Sequence, residues 1–130
     1  INFFPEDRRG QLLMDLSLNL KAILAQQLIP TPDGKGRRVA VEVLINTPLA
    51  ADLIRKGEVH KLKDLMKRSN QQGMKTFDQA LYDLYKEGQI TQDDALHYAD
   101  SANEVRLMIK LKDSEMDSAA LDGITLVETP

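Results

Sequence analysis

Residues 39–56, VAVEVLINTPLAADLIRK, constrain the fold of this chain more than any other stretch. Val39, Val41, Val43 and Ile45 alternate with Ala40, Glu42, Leu44 and Asn46, the period-two pattern of a strand. The Val set is read as facing one core, while Ala40 and Leu44 make the other face partly apolar too. A strand apolar on both faces needs cover from both sides. It runs directly into Thr47-Pro48, where a Thr N-cap followed by Pro at the first helical position starts a helix. Leu49, Leu53 and Ile54 are predicted to pack inward from that helix, and Gly57 to stop it.

Upstream, Pro5-Glu6-Asp7 opens a helix, because Pro suits a first turn and the acids favour the positive end of the helix dipole. Leu12, Leu16, Leu20 and Leu24 recur every four residues along one stripe. Ala22–Ile29 reads equally as the end of this helix or as a strand, and Pro30 must end it. Thr31-Pro32-Asp33-Gly34-Lys35-Gly36 is a turn by composition, so a hairpin leading into a strand over Arg37–Asn46 is predicted.

Downstream, a helix is predicted from about Glu58, with Val59, Leu62, Leu65 and Met66 inward, ending near Gly73. Thr76-Phe77-Asp78-Gln79 is a capping box and starts the next, which ends at Gly88. Thr91-Gln92-Asp93-Asp94 and Ser101-Ala102-Asn103-Glu104 start two more. The predicted class is α+β, mostly α: an N-terminal helix, a β-hairpin, then a bundle of four to five short helices over residues 1–111. Residues 112–130 are acidic, rich in Ser, Asp and Ala and without a helical stripe. They are expected to be a disordered tail, with Ile124–Val127 as a patch able to join a sheet edge.

Length bounds this to one domain's worth of chain. Without Cys there is no disulfide framework, thiolate chemistry or Cys-type zinc site. The chain opens on Ile1 and is expected to be a fragment of a longer protein. Net charge is −3, which argues against a general nucleic-acid binder. Residues 35–75 hold ten Lys/Arg against four acids, a net +6, whereas residues 76–130 hold four against twelve, a net −8. Two readings follow: solvated faces that pack on each other, or a basic surface that meets an acidic one on a neighbouring copy.

No constellation carries catalysis. His60 and His97 lie far apart without a second ligand at metal spacing, and are read as surface or boundary residues. Asp93-Asp94 belongs to a helix start. Asp113-x-Glu115-x-Asp117 lacks the Gly and distal Glu of a calcium loop. Gly34-Lys35-Gly36 sits in a hairpin turn and not in the strand–loop–helix setting of a phosphate loop, although Lys35, Arg37 and Arg38 could still touch an anion. Lys61, Lys63, Lys67 and Arg68 form a basic helix face without interleaved aromatics. Catalytic, cofactor-binding and metal-ligating residues are therefore expected to be none.

Phe3-Phe4-Pro5, Leu16-Ser17-x-x-Leu20 leading to Gln26-Gln27-Leu28, Asp33-Gly34-x-Gly36-Arg37, Glu42-x-x-x-Asn46-Thr47-Pro48, Gly73-Met74-x-Thr76-Phe77-Asp78-x-Ala80-Leu81 and Gly88-x-Ile90-Thr91-x-x-Asp94-Ala95 follow in order along the chain. This series resembles the C-terminal part of the type IV pilus retraction ATPases, hexameric ring motors of the secretion ATPase superfamily, from Ile1 to about Leu111. The resemblance implies the C-terminal part of a RecA-like motor domain, with the phosphate loop, Walker B carboxylate, acidic box and histidine box N-terminal to Ile1. It implies ATP and Mg²⁺ in the parent protein and none in this chain. Leu53, Ile54 and Arg55 match the L-I-R of that family's retraction motif A-I-R-N-L-I-R-E, whereas Leu49, Ala50, Ala51, Asp52 and Lys56 depart from it, as in the family's accessory branch.

Two functions follow. The first is a fragment of a hexameric motor that supports pilus retraction and twitching motility, completing a sheet and contacting neighbouring ring subunits. Its implied setting is cytoplasmic and peripheral at the inner membrane, against the pilus platform, and the fragment is expected to self-associate. The second is a free-standing helical protein–protein interaction module. The two-faced strand separates them, since a free module should keep one polar face.

Overall fold

The computed structural model describes the backbone of residues 3–128 and the side chains of residues 3–122. The elements run α1 (Glu6–Asn19), β1 (Ala22–Pro30), β2 (Arg37–Ile45), α2 (Pro48–Lys56), α3 (Val59–Arg68), a 3-10 turn (Asn70–Gln72), α4 (Phe77–Lys86), α5 (Gln92–Tyr98) and α6 (Ala102–Glu128). This is the mostly helical α+β class predicted, with helix, hairpin and helical bundle in the expected order.

Ala22–Pro30 is a strand. It pairs antiparallel with β2 over its whole length, from Ala22 opposite Ile45 to Pro30 opposite Arg37. The helix before it stops because Leu20 turns extended at φ −66° and ψ 134°. Asn46, at the end of β2, holds that stop: its Nδ2 donates to the Ser17 and Leu20 carbonyls at 3.1 and 2.7 Å, and its N–H to the Lys21 carbonyl at 2.9 Å. Carbonyls at a helix C-terminus have no partner in the helix, so a side chain that accepts this job fixes the helix end. Leu20 and Leu24 therefore leave the α1 stripe.

The strand faces reverse the expectation. Ile29, Ala40 and Leu44 are the buried strand residues, whereas Val39 is exposed and Val41, Val43 and Ile45 are only half buried. In this register Leu24, Gln26 and Leu28 lie opposite Val43, Val41 and Val39 on the same face. The helices of this chain cover the face with Ala40 and Leu44, and the Val face is left open, with Leu24 at 71% exposure. Small Ala40 lets α4 and α5 approach closely, which the β-branched face would not allow.

Two apolar clusters sit under the covered face. Ile29 and Ala40 pack with Leu81, Ile90, Ala95, Val105 and Ile109 of the α4–α6 lobe. Leu44 packs with Ala50, Leu53, Ile54, Leu65, Met66 and Met74 of the α2–α3 lobe, with Leu16 and Leu20 at its edge. Lysine–carboxylate bridges tie α3 to the start of α6: Lys63 to Asp100 at 2.7 Å, and Lys67 to Glu104. That supports the first reading of the charge asymmetry for this part of the molecule.

These bridges are half exposed, so each contributes at most about 1 kcal/mol. Asp100 holds the Lys63 ammonium above its ordinary value of 10.5, by hydrogen bonding first and charge second. A raised folded-state value means the contribution is complete below pH 10.5 and is lost as pH rises beyond it. Urea titrations of the parent and Lys63→Met should differ at neutral pH and converge in strong alkali; a constant difference would show that the bridge is not its source.

Helix α6 is longer than predicted. Residues 112–128, expected to be disordered, continue it as far as Glu128, with the backbone of Ile124–Val127 helical and not at a sheet edge. Every described side chain from Leu111 to Asp122 is exposed. This stretch buries none of these side chains and draws on the helix propensity of its Leu, Lys, Glu, Met and Ala residues. Residues 129 and 130 lie outside the described residues.

Candidate functional site: helix α2 and the open sheet face

Helix α2 follows β2 after two residues. Thr47 Oγ1 accepts from the Ala50 N–H at 3.2 Å, and Pro48 takes the first turn. Gly57 closes the helix in the left-handed conformation at φ 70°, which lets its N–H reach the Ile54 carbonyl at 3.0 Å while Glu58 N–H reaches that of Leu53 at 3.0 Å. Leu53 and Ile54 are buried in the α2–α3 cluster. Leu49, predicted inward, is 53% exposed, and Ala50 is buried in its place. The buried set is thus 50, 53 and 54, the i, i+3, i+4 face, and Leu49 lies beyond its Leu53 edge, about 100° from Ala50.

Arg55 projects from the other side. Its Nη2 binds Asp52 Oδ1 at 2.7 Å, and Lys56 Nζ binds Asp52 Oδ2 at 2.9 Å. Arg55, then Lys56, hold the Asp52 carboxyl below the usual carboxylate range. The carboxylate that pairs with Arg55 is therefore on its own helix, three residues back. Both partners stay accessible, so the exposed end of α2 presents two cations around one acid. An apolar cavity of about 120 Å³ lies on the inner side, between Leu13, Leu16, Leu53 and Leu62.

The hairpin turn does not fit the phosphates of a nucleotide. Gly34 N–H donates to the Thr31 carbonyl at 2.9 Å, Lys35 N–H to Asp33 Oδ1 at 3.0 Å, and Gly36 N–H to Thr31 Oγ1 at 3.0 Å. All three backbone donors that a phosphate would need are spent within the turn. His60 borders the cleft between α3 and α6, and His97 stacks edge-on against Tyr98. No group of three His, Asp or Glu side chains suited to a metal occurs among the described residues.

One buried polar centre escaped the sequence reading. Asp78 is almost fully buried and accepts from the Asp100 and Ser101 N–H groups at 2.8 and 3.1 Å, capping the start of α6 from α4. Burial pushes its carboxyl above the usual range despite those two donors. Glu42 on β2 similarly accepts from Phe77 N–H at 3.0 Å. A charged residue two positions after the capping Thr76 was the only local signal for Asp78.

This order of hairpin, capped helix and helical lobe is that of a pilus motor ATPase. The crystal structure of the pilus retraction motor PilT with bound ADP superposes with a TM-score of 0.68 at 33% identity, over 81% of this chain and 29% of that one. The ATPase DotB of Legionella pneumophila shares the fold at 17% identity and a TM-score of 0.52, over 71% of this chain and 25% of that one.

In sequence, the chain is 72% identical to the type IV pilus ATPase PilU of Pseudomonas aeruginosa over 96% of its own length. It is 30% identical to the PilT retraction ATPase of the same organism over 73%. Along its length the chain belongs to the PilU/PilT-like family of pilus ATPases. It spans about a third of these relatives, 32% of PilU and 27% of PilT. No family model matches it. No helix among the described residues is long and apolar enough to cross a membrane.

Proposed function

We propose that this chain serves as the C-terminal part of a pilus-retraction ATPase, where it closes the sheet of the motor domain and supplies contacts between ring subunits. The observation that carries this reading is the open Val face of the hairpin. Leu24, Leu28 and Val39 stand exposed beside a well-packed helical body. Soluble proteins cover such contiguous apolar strand faces. The strong likeness to PilU supports a further apolar layer, in the longer protein, as that cover.

The reading places nucleotide and Mg²⁺ in the rest of the longer protein, and the protein itself in the cytoplasm, in a hexameric ring at the membrane platform of the pilus. Leu53 and Ile54 seat α2, and Arg55 acts outward toward a neighbouring subunit. The chain alone is expected to release no phosphate from ATP, and purified fragment turning over above a buffer blank would contradict this. In the full-length protein, Arg55→Ala should impair pilus retraction while leaving abundance and fold unchanged. Normal retraction by that variant would remove Arg55 from the mechanism.

A further inference from the structure

The two apolar clusters share strand β2 and no helix. Ala40 enters the α4–α6 cluster and Leu44 the α2–α3 cluster. Among the described residues no side chain of α2 or α3 joins the first, and none of α4, α5 or α6 joins the second. Where α3 faces the start of α6 there is instead an open, polar cleft of about 440 Å³. His60, Lys63 and Lys67 line it on one side, and Asp78, Asp100 and Glu104 on the other. Polar seams between separately packed bodies permit relative motion that an apolar seam would resist.

The two walls of this cleft are held differently. Asp78 accepts from the Asp100 and Ser101 N–H groups, so the Asp100 and Glu104 carboxylates stand on a pinned turn. The basic wall belongs to α3. The α2–α3 pair is joined to the rest of the chain by two short links, Asn46-Thr47 before α2 and residues 69–73 after α3. The second link closes on Gly73 in the left-handed conformation at φ 92°. Another side of α3, with Val59 and Leu62, borders the apolar cavity of about 120 Å³ under α1. Protein interiors are normally packed without voids of this size, so α3 is not wedged in place from that side.

The ties across the cleft are polar. Lys63 reaches Asp100 at 2.7 Å and Lys67 reaches Glu104. The Lys67 carbonyl also accepts from Gln79 Nε2 at 3.2 Å, close to the link after α3, where a pivot would leave it intact. Lys67 has a second carboxylate at hand, Asp64 on its own helix at 4.0 Å. It can therefore keep a partner when the seam parts, which makes the two positions of α3 close in energy. Short links, a polar seam and a void beside the moving element are the makings of a hinge.

We propose that the α2–α3 pair is a hinged arm, latched against α6 by Lys63–Asp100 and Lys67–Glu104, which swings off α6 into the apolar cavity under α1. Because α2 carries Arg55, the latch sets where that side chain stands on the outer surface. This consequence for a motor rests on the pilus reading; the motion itself does not.

Double electron–electron resonance between nitroxides at Lys61→Cys and Lys110→Cys measures the opening. The labelled chain is diluted in excess unlabelled chain, so that only pairs within one molecule are read. Both positions are exposed and lie outside the two latch pairs. One distance should dominate in the parent at about 0.1 M NaCl. Towards about 1 M, as the screening length falls from about 10 to about 3 Å, a second, longer distance should gain at least about threefold in population. Lys63→Met/Lys67→Met should raise that population at least about fivefold at the lower salt. Adding Leu13→Phe, which fills the cavity, should return it to within about twofold of the parent. A single distance at every salt would overturn the proposal. So would a latch-free variant that matches the parent, or a longer distance that Leu13→Phe leaves unchanged. Loss of fold in the latch-free variant would also contradict it, since removing a latch must leave both apolar cores intact. Each of these results would leave the pilus reading standing.

Discussion

Leu53→Ala should destabilise the chain by about 3 kcal/mol, within a range of roughly 2–5 kcal/mol for a large-to-small change in a core. Leu53 is buried between Leu44, Ala50 and Leu65, and beside it lies the cavity under α1, which the truncation would enlarge. The melting temperature should fall on the order of 10 °C. Arg55→Ala, two residues on, should move it little, because the pair with Asp52 is exposed on both sides and screened by solvent. Thermal melts of the two variants side by side therefore separate the buried face of α2 from its outward face. A silent Leu53→Ala with an unfolded Arg55→Ala would mean that the helix is rotated from this position.

Asp78→Ala should cost about as much, by a different mechanism. The Asp78 carboxylate satisfies two backbone N–H groups at the α5–α6 corner, and its removal leaves both without a partner. Hydrogen bonds to a charged group are worth about 1.5–3 kcal/mol each, and a buried donor left unmade carries its full desolvation cost. Offset against this is the relief of a buried charge, which the upward shift of the Asp78 carboxyl registers. A net loss of about 2–4 kcal/mol follows. Asp78→Asn should lose less, since one amide oxygen can still accept while its NH₂ faces the second donor. Amide hydrogen exchange at Asp100 and Ser101 reads the effect where it arises. Unchanged protection there in Asp78→Ala would show that the corner is held by other contacts.

The parts of this fold that were legible in sequence are the local ones. Thr47, Thr76 with Gln79, and Thr91 each cap the helix that they were predicted to start, because a cap is decided within four residues. The nature of Ala22–Pro30 was not legible, since its pairing is with residues seven to twenty-three positions away and its apolar pattern suits either element. The choice of buried face on β2 was hidden for a related reason. Both faces are apolar, and the face that packs inward is set by small Ala40 and by Glu42 reaching Phe77, both of which depend on α4 being there. Asp78 and Asn46 were missed as fold-determining polar residues because their partners lie 22 to 29 residues away. The family resemblance itself was legible, because the motifs that carry it are capping and turn sequences with fixed spacing.

The open sheet face is the point on which the whole account turns, and the absence of Cys makes it directly measurable. Leu24→Cys places a single thiol at the most exposed apolar position of β1. In the dilute 130-residue chain this thiol should react with a maleimide at nearly the rate of a free peptide. In the full-length protein, with any other cysteines removed, the same thiol should be protected at least about a hundredfold, because the rest of the motor domain covers that face. Equal reactivity in the two would contradict the account, since the Val face would then be a solvent surface of the motor and not the seam at which this chain completes it.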